Sequence, residues 1–414
     1  MSRQTQFGTD RRVVQAVYSR SSRAGEQGFS LVEIMVALVI GMLGVVIILQ
    51  VFALFEGQKR TTTSGDDAIS GGAIALNILQ RDLRHAGWGM SARNVLACDV
   101  DGLASGSTLT LAPVTINHAS IPAGDPNTDT LTVVYGSGSG PVEGDTILSD
   151  SWTPVGTVTQ DSYAVGASRA FAVDDFVAAG PKERSGAACS LKTVRVTKID
   201  DPKARTVSVS DIAPFSVNPG DRLFQFGQNP VVRVYAIRDG SLTVCDWRTS
   251  PCADASKIND RGIWVPIANN MVSLRAQYGR DTATGDMDGI VDVWDKDRPI
   301  TGISTIASKN IPACGIMRVS AVRLVLVARS SQPEKEHVSS AAAGWTHLRW
   351  MALEDDTGAL LSTPPSAGTA AEGVVITLPN PDAVWPTWQN FRYKTFQTVV
   401  PLRNITMQGA MEEC

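Results

Sequence analysis

The sequence lacks the short stretches that mark common enzyme classes. No G-x-S-x-G elbow, H-E-x-x-H helix or G-x-x-x-x-G-K-[ST] loop occurs in its 414 residues. The four histidines, His85, His118, His337 and His347, stand apart, none beside a pattern that would make it more than a surface or packing residue. There is no C-x-x-C pair, which argues against a cysteine metal site. Charge is nearly balanced at a formal −4, with no long charged run, so nothing points to a nucleic-acid-binding body. Two further absences are local. No ionisable residue falls between Ile34 and Phe55, and no proline between Phe29 and Arg93.

The first of these gaps predicts a membrane helix. Its 22 residues, at 1.5 Å each, make about 33 Å, against a hydrocarbon core of roughly 30 Å. Arg3, Arg11, Arg12, Arg20 and Arg23 precede it against Asp10 and Glu26, which favours a cytoplasmic N-terminal flank. The body after Glu56 is then expected across the membrane, in a bacterium the periplasm or beyond, where disulfides persist. A secretory signal would be cut after its apolar region. Here "EGQKRTTTSGDD" follows Phe55 and offers no such site, whereas Gly28 stands just before the run. The plain alternative is an uncleaved signal anchor.

Glu33 is the anomaly within this segment. A carboxylate in a membrane helix costs about 2.5–3.5 kcal/mol on insertion scales, less near the end or beside a cation. A cut between Gly28 and Phe29 would free an amine at i, i+4 spacing from Glu33, or within reach of a neighbouring subunit's Glu33. The bland reading is an acid at headgroup level.

"GFSLVEIMVALVIGML" resembles the class III signal of type IV pilins and type II secretion pseudopilins. That resemblance implies cleavage by prepilin peptidase after Gly28, N-methylation of Phe29, and Glu33 as the family's acidic residue. It divides the chain into a leader, 1–28, a long helix, 29–86, and a head, 87–414. The helix is expected to span the membrane over 29–55 and to be amphipathic over 56–86. In "AISGGAIALNILQRDLRHAGWG" an apolar stripe of Ile69, Ala73, Leu76, Leu79 and Leu83 runs at three- and four-residue steps, and Gly87 and Gly89 supply a stop. Gly65, Gly71 and Gly72 are its weak points.

Beyond Gly89 the pattern turns to strands: "DTLTVVYG", "KTVRVTKI", "RTVSVSDI", "VVRVYAIRDGSLTVC" and "RVSAVRLVLVARS". Asp239–Gly240 reads as a hairpin tip. The fold class is therefore α+β: a type IV pilin-like long helix packed on an antiparallel β-rich head, with a lobe division near residue 230. "MVSLRAQYGRDTATGDMDGIVDVWD", "MRVSAVRLVLVARS" and "FRYKTFQTVVPLRN" resemble, in this order, segments of large minor pilins of the PilW kind. The middle, about 98–229, carries no resemblance.

Asp281, Asp286, Asp288 and Asp292 share a glycine-containing loop whose composition suits calcium but whose spacing is not that of an EF-hand. A solvated acidic turn is the competing reading, and no other cofactor is expected. Cys245 and Cys252 enclose a short loop and are expected to bridge. Cys98 with Cys189, and Cys314 with Cys414, are a further pairing that spacing alone leaves open. "VWPTWQNFRY" reads as sheet core ahead of a binding face.

The family resemblance implies a minor pilin, not an enzyme, that helps prime or cap a type IV pilus serving twitching motility or cell adhesion. The alternatives are a pseudopilin of a type II secretion system and a membrane-tethered adhesin. Expected partners are other minor pilins, the major pilin, the inner-membrane assembly platform, prepilin peptidase and a large tip adhesin. The expected location is the inner membrane, with a periplasmic head, and then the pilus at the cell surface.

Overall fold

The structure is a computed structural model. It describes residues 28–148, 162–182, 189–200, 205–210, 217–283, 286–296, 312–339, 351–354, 374–377 and 387–406. The chain forms two compact units, Met1–Lys59 and Arg60–Cys414.

The long helix, α1, runs without interruption over Leu31–His85. Gly65, Gly71 and Gly72 leave it continuous. It ends where expected: Gly87 takes φ +79°, a conformation that costs glycine little, and its N–H bonds the Val134 carbonyl at 2.8 Å.

The head is built on sheets, and two of them flank the helix-bearing core. The first is five-stranded, ordered Val265–Asn269, Ser241–Asp246, Val231–Arg238, Leu131–Tyr135, Val114–Ile116, with every pair antiparallel. The hairpin tip lies at Asp239–Gly240, with Arg238 opposite Ser241 and both tip residues at positive φ, as a two-residue type I′ turn requires. The second sheet is four-stranded and antiparallel, ordered Val293–Asp295, Met271–Arg280, Val319–Arg329, Tyr393–Pro401. Leu79, Leu83 and Ala86 of α1 share one core with Leu131, Val133, Tyr235 and Ile237 of the first sheet and Leu274, Leu324, Leu326 and Val400 of the second. The alternation of the Val231–Arg238 strand explains its burial on both faces. Tyr235 and Ile237 face this core, while Val232, Val234 and Ala236 enter a second one with Trp247 and Trp264.

The middle segment forms a three-stranded sheet and a six-stranded one, the latter with its own core around Val177, Val196, Val207 and Leu223. Not every pairing is antiparallel. Asp99–Ala104 runs parallel to Ser190–Lys192, and Met351–Glu354 parallel to Val374–Thr377. Leu131–Tyr135 pairs with Val231–Arg238, so one sheet includes strands from both sides of residue 230.

Among the described residues, Cys98–Cys189 and Cys245–Cys252 are bridged. Cys314 is also disulfide-bonded, and Cys414 lies outside the described residues. In "VWPTWQNFRY" Trp388 and Phe391 are buried, and the Arg329 guanidinium lies 4.3 Å from the Phe391 ring centre, so these rings are core. The first two bridges close loops of very different length, with sequence separations of 91 and 7. A loop-entropy account then gives about 4–5 kcal/mol for the first and about 2–3 kcal/mol for the second. Replacing Cys98 and Cys189 together by Ser is expected to lower the denaturant midpoint more than replacing Cys245 and Cys252, as chemical unfolding of the full chain will show.

Candidate functional site

The N-terminal unit presents an apolar rod. Within Leu31–Lys59 an 18-residue window reaches a mean hydropathy of 2.9 and none of it is buried, which makes this part of α1 long and apolar enough to cross a membrane. Ile34, Met35 and Val36, which project about 100° apart around the helix, are all exposed. A surface of that kind calls for lipid or other helices around it. The Ile34 N–H bonds the Ser30 carbonyl at 3.1 Å and starts the helix. Glu33 lies in the first turn, where a negative charge suits the partial positive charge of the helix N-terminus. Phe29 stands just ahead, 77 % exposed, and nothing approaches within 4 Å of a Cβ placed on Gly28. The bond between Gly28 and Phe29 is therefore open on every side described. Residues 1–27, the expected leader, lie outside the described residues.

At the other end of α1 the helix is locked into the head by a buried charge. Asp82 is fully buried. Its carboxylate accepts from the Tyr235 hydroxyl at 2.6 Å, from Arg233 Nη1 at 2.8 Å and from the Tyr135 hydroxyl at 3.4 Å. Burial holds the Tyr235 hydroxyl protonated far above its usual range, and the negative charge of Asp82 adds to this. The same two causes raise Tyr135. Burial disfavours the Arg233 charge, but its hydrogen bond to Asp82 and the charge of Asp82 prevail, so its pKa rises. Arg81 Nε lies at 3.7 Å as a second, more exposed cation, and these partners with the two neutral hydroxyl donors satisfy a carboxylate that would otherwise be very costly to bury.

The helix face that meets the head differs from the predicted stripe. Leu79 and Leu83 are buried as expected, Leu76 is half-buried, and Ile69 and Ala73 are exposed. The buried positions are instead Ala68, Gly72, Ala75, Leu79, Asp82, Leu83 and Ala86. Close approach is the reason: a Cβ on Gly72 would lie 2.1 Å from the Phe396 ring, so only glycine leaves room for that side chain. Gln80 donates to the Thr398 hydroxyl at 2.5 Å on the same strand. Asn404 then closes the helix end, its amide donating to the carbonyls of His85 at 3.1 Å and Ala86 at 3.0 Å. A buried glycine and a buried acid are invisible to a search for apolar residues at helical spacing. The spacing of Asp82 from Leu79 and Ala86 was the available signal.

Two more buried carboxylates join elements of the head. Asp129 bonds Lys296, Arg275 at 3.4 Å, Asn117 at 3.1 Å and the Ala276 N–H at 3.0 Å, tying the loop before one sheet to a strand of the other. Asp281 pairs with Arg318 at 3.3 Å and accepts the N–H groups of Ala283 and Gly289. Asp281 is thus interior, unlike a residue of a solvated turn. Asp292 accepts from the Thr282 N–H at 2.7 Å, Asp288 from the Ile290 N–H at 2.8 Å, and Asp286 is exposed. Among the described residues, no three His, Cys, Asp or Glu are grouped to hold a metal ion.

Residues 235–404 match the family model described as Type IV Pilus-assembly protein W, and residues 23–49 match that of the Prokaryotic N-terminal methylation motif. No curated protein and no solved structure matches the chain.

The Asp82 cluster sets a pH dependence. Tyrosine in the unfolded chain ionises near pH 10, whereas folded Tyr235 keeps its proton, so the native state binds more protons above that pH. The stabilisation is complete below about pH 10 and is lost as pH rises further. Tyr235→Phe is expected to flatten the alkaline limb of stability against pH in urea unfolding. Asp82→Ala should cost about 3 kcal/mol at neutral pH, the low end for a broken buried pair, because the Arg233 side chain keeps 35 % of its surface in water.

Proposed function

We propose that this chain, supported by both matched segments as a type IV minor pilin of the PilW kind, is a processed filament subunit that helps to start pilus assembly. The observation that carries the proposal is the exposed apolar helix with Gly28–Phe29 just ahead of it and Glu33 in its first turn. Prepilin peptidase cuts after Gly28, and the new Phe29 amine is methylated. The helix holds the subunit in the inner membrane until neighbouring pilin helices replace lipid around it. Glu33 then pairs with an N-terminal amine, within the chain or from the next subunit. In a low-dielectric bundle such a pair sets axial register, because a shift along the bundle would leave two charges unpaired.

The head supplies lateral contacts to other minor pilins, to the major pilin and to a large tip adhesin. The match over residues 235–404 favours the pilus over a secretion pseudopilin, since the N-terminal motif is common to both. Partners and position at the tip are part of the proposal.

Mass spectrometry of the protein from cells is expected to give a mature chain that starts at methylated Phe29. A chain that still carries its first 28 residues would overturn the reading. Glu33→Ala should leave that cleavage intact while lowering recovery in sheared pili at least ten-fold. Normal incorporation of the variant would remove the register role from Glu33.

A further inference from the structure

A concavity of about 480 Å³ opens beside the hairpin tip of the five-stranded sheet, and none of the acidic-loop residues Asp281, Asp286, Asp288 or Asp292 lines it. Its floor is Arg238, buried, with its guanidinium carbon 4.0 Å above the Trp264 ring. Arg238 donates to the carbonyls of Ala123 at 3.0 Å and Pro122 at 2.8 Å. Burial pushes its pKa down, and the Asp125 charge opposes this. The rim is held as firmly. Asp125 accepts the N–H groups of Asp239 at 3.0 Å and Gly240 at 2.9 Å, which pins the turn. On the facing side the backbone N–H of Trp264 bonds the Asp260 carbonyl at 2.8 Å, and the Gly262 N–H bonds the Asp260 carboxylate at 2.9 Å. The walls are therefore formed before any ligand arrives.

The lining tells what would fit. Asp125 and Asp239 balance Arg238 and Arg261, so the site carries no net charge to attract an anion or a cation. Asn259, Asn269 and Ser241 add amide and hydroxyl groups, while Ile258 and Pro266 offer small apolar surfaces. The internal bonds across the mouth are weak. Arg261 meets Asp239 at 3.1 Å with both side chains over three-quarters exposed, and Ser241 meets Asn269 at 3.4 Å. Exposed pairs of this kind contribute little, so a ligand can take over both groups at small cost. The matching ligand is uncharged, dense in groups that both donate and accept, and apolar on its C–H faces. A sugar has these properties. The volume lies within the range of small-molecule sites and suits one or two rings.

We propose that this dish is a binding site for a neutral saccharide, one or two rings in size. It gives the head a recognition function that is independent of how the subunit is processed or assembled.

The test uses the full-length protein in a detergent without a sugar head group. Saturation-transfer NMR is recorded with methyl glycosides of neutral hexoses and N-acetylhexosamines, beside sialylated and sulfated controls. At least one neutral glycoside is expected to bind. Asn259→Ala with Arg261→Ala should weaken it at least ten-fold without changing the melting temperature, since both side chains are exposed. Binding of none of the neutral glycosides, binding only of the anionic ones, or binding unaffected by the double variant would each overturn the proposal.

Discussion

The carboxylate of Asp82 is the point on which the arrangement of helix and head depends. It sits on a helix face otherwise made of Ala, Gly and Leu, and its two hydroxyl donors and its guanidinium come from two strands of one sheet. Apolar contact alone would let a helix slide or roll over a sheet at modest cost. A buried charge does not tolerate that, because displacement would leave Asp82 without partners. Gly72 adds a steric constraint, since the Phe396 ring occupies the space a larger residue would need. Charge fixes one point along the helix and shape fixes another.

Asp129 and Asp281 repeat the device within the head. Each is a buried carboxylate that gathers cations and backbone N–H groups from separate elements. Apolar packing brings the sheets together, and these acids decide which residues meet. Asp125 does similar work at the surface, where it fixes the hairpin tip beside the concavity.

Much of this was legible in the sequence. The run from Ile34 to Phe55 and the acid at Glu33 were plain, because a membrane segment is marked by length and by the rarity of charge. The strands at 131–135, 231–246 and 319–329 were visible in their alternation or their Val content, and the Asp239–Gly240 turn in its chemistry. The buried helix face was not. A stripe drawn at three- and four-residue steps put Ile69 and Ala73 inside, whereas the structure places Ala68, Gly72 and Ala75 there. Periodicity shows that a helix has an inner face, but how near the neighbour comes depends on residues distant in the chain, such as Phe396. The role of Asp82 was hidden for the same reason, as Tyr135, Arg233 and Tyr235 lie 53 to 153 residues away. The parallel pairings at Asp99–Ala104 and Met351–Glu354 likewise depend on partners that local pattern does not name.

The amide of Asn404 on the last carbonyls of α1 has a mechanical consequence. It stands at one end of a line of attachments that continues through Asp82, Gln80 and Gly72 along the same helix. Tension applied along that axis is shared among all of them at once, as in a lap joint, and does not peel them apart singly. A head pulled against this stretch of helix would therefore yield late, and by shear.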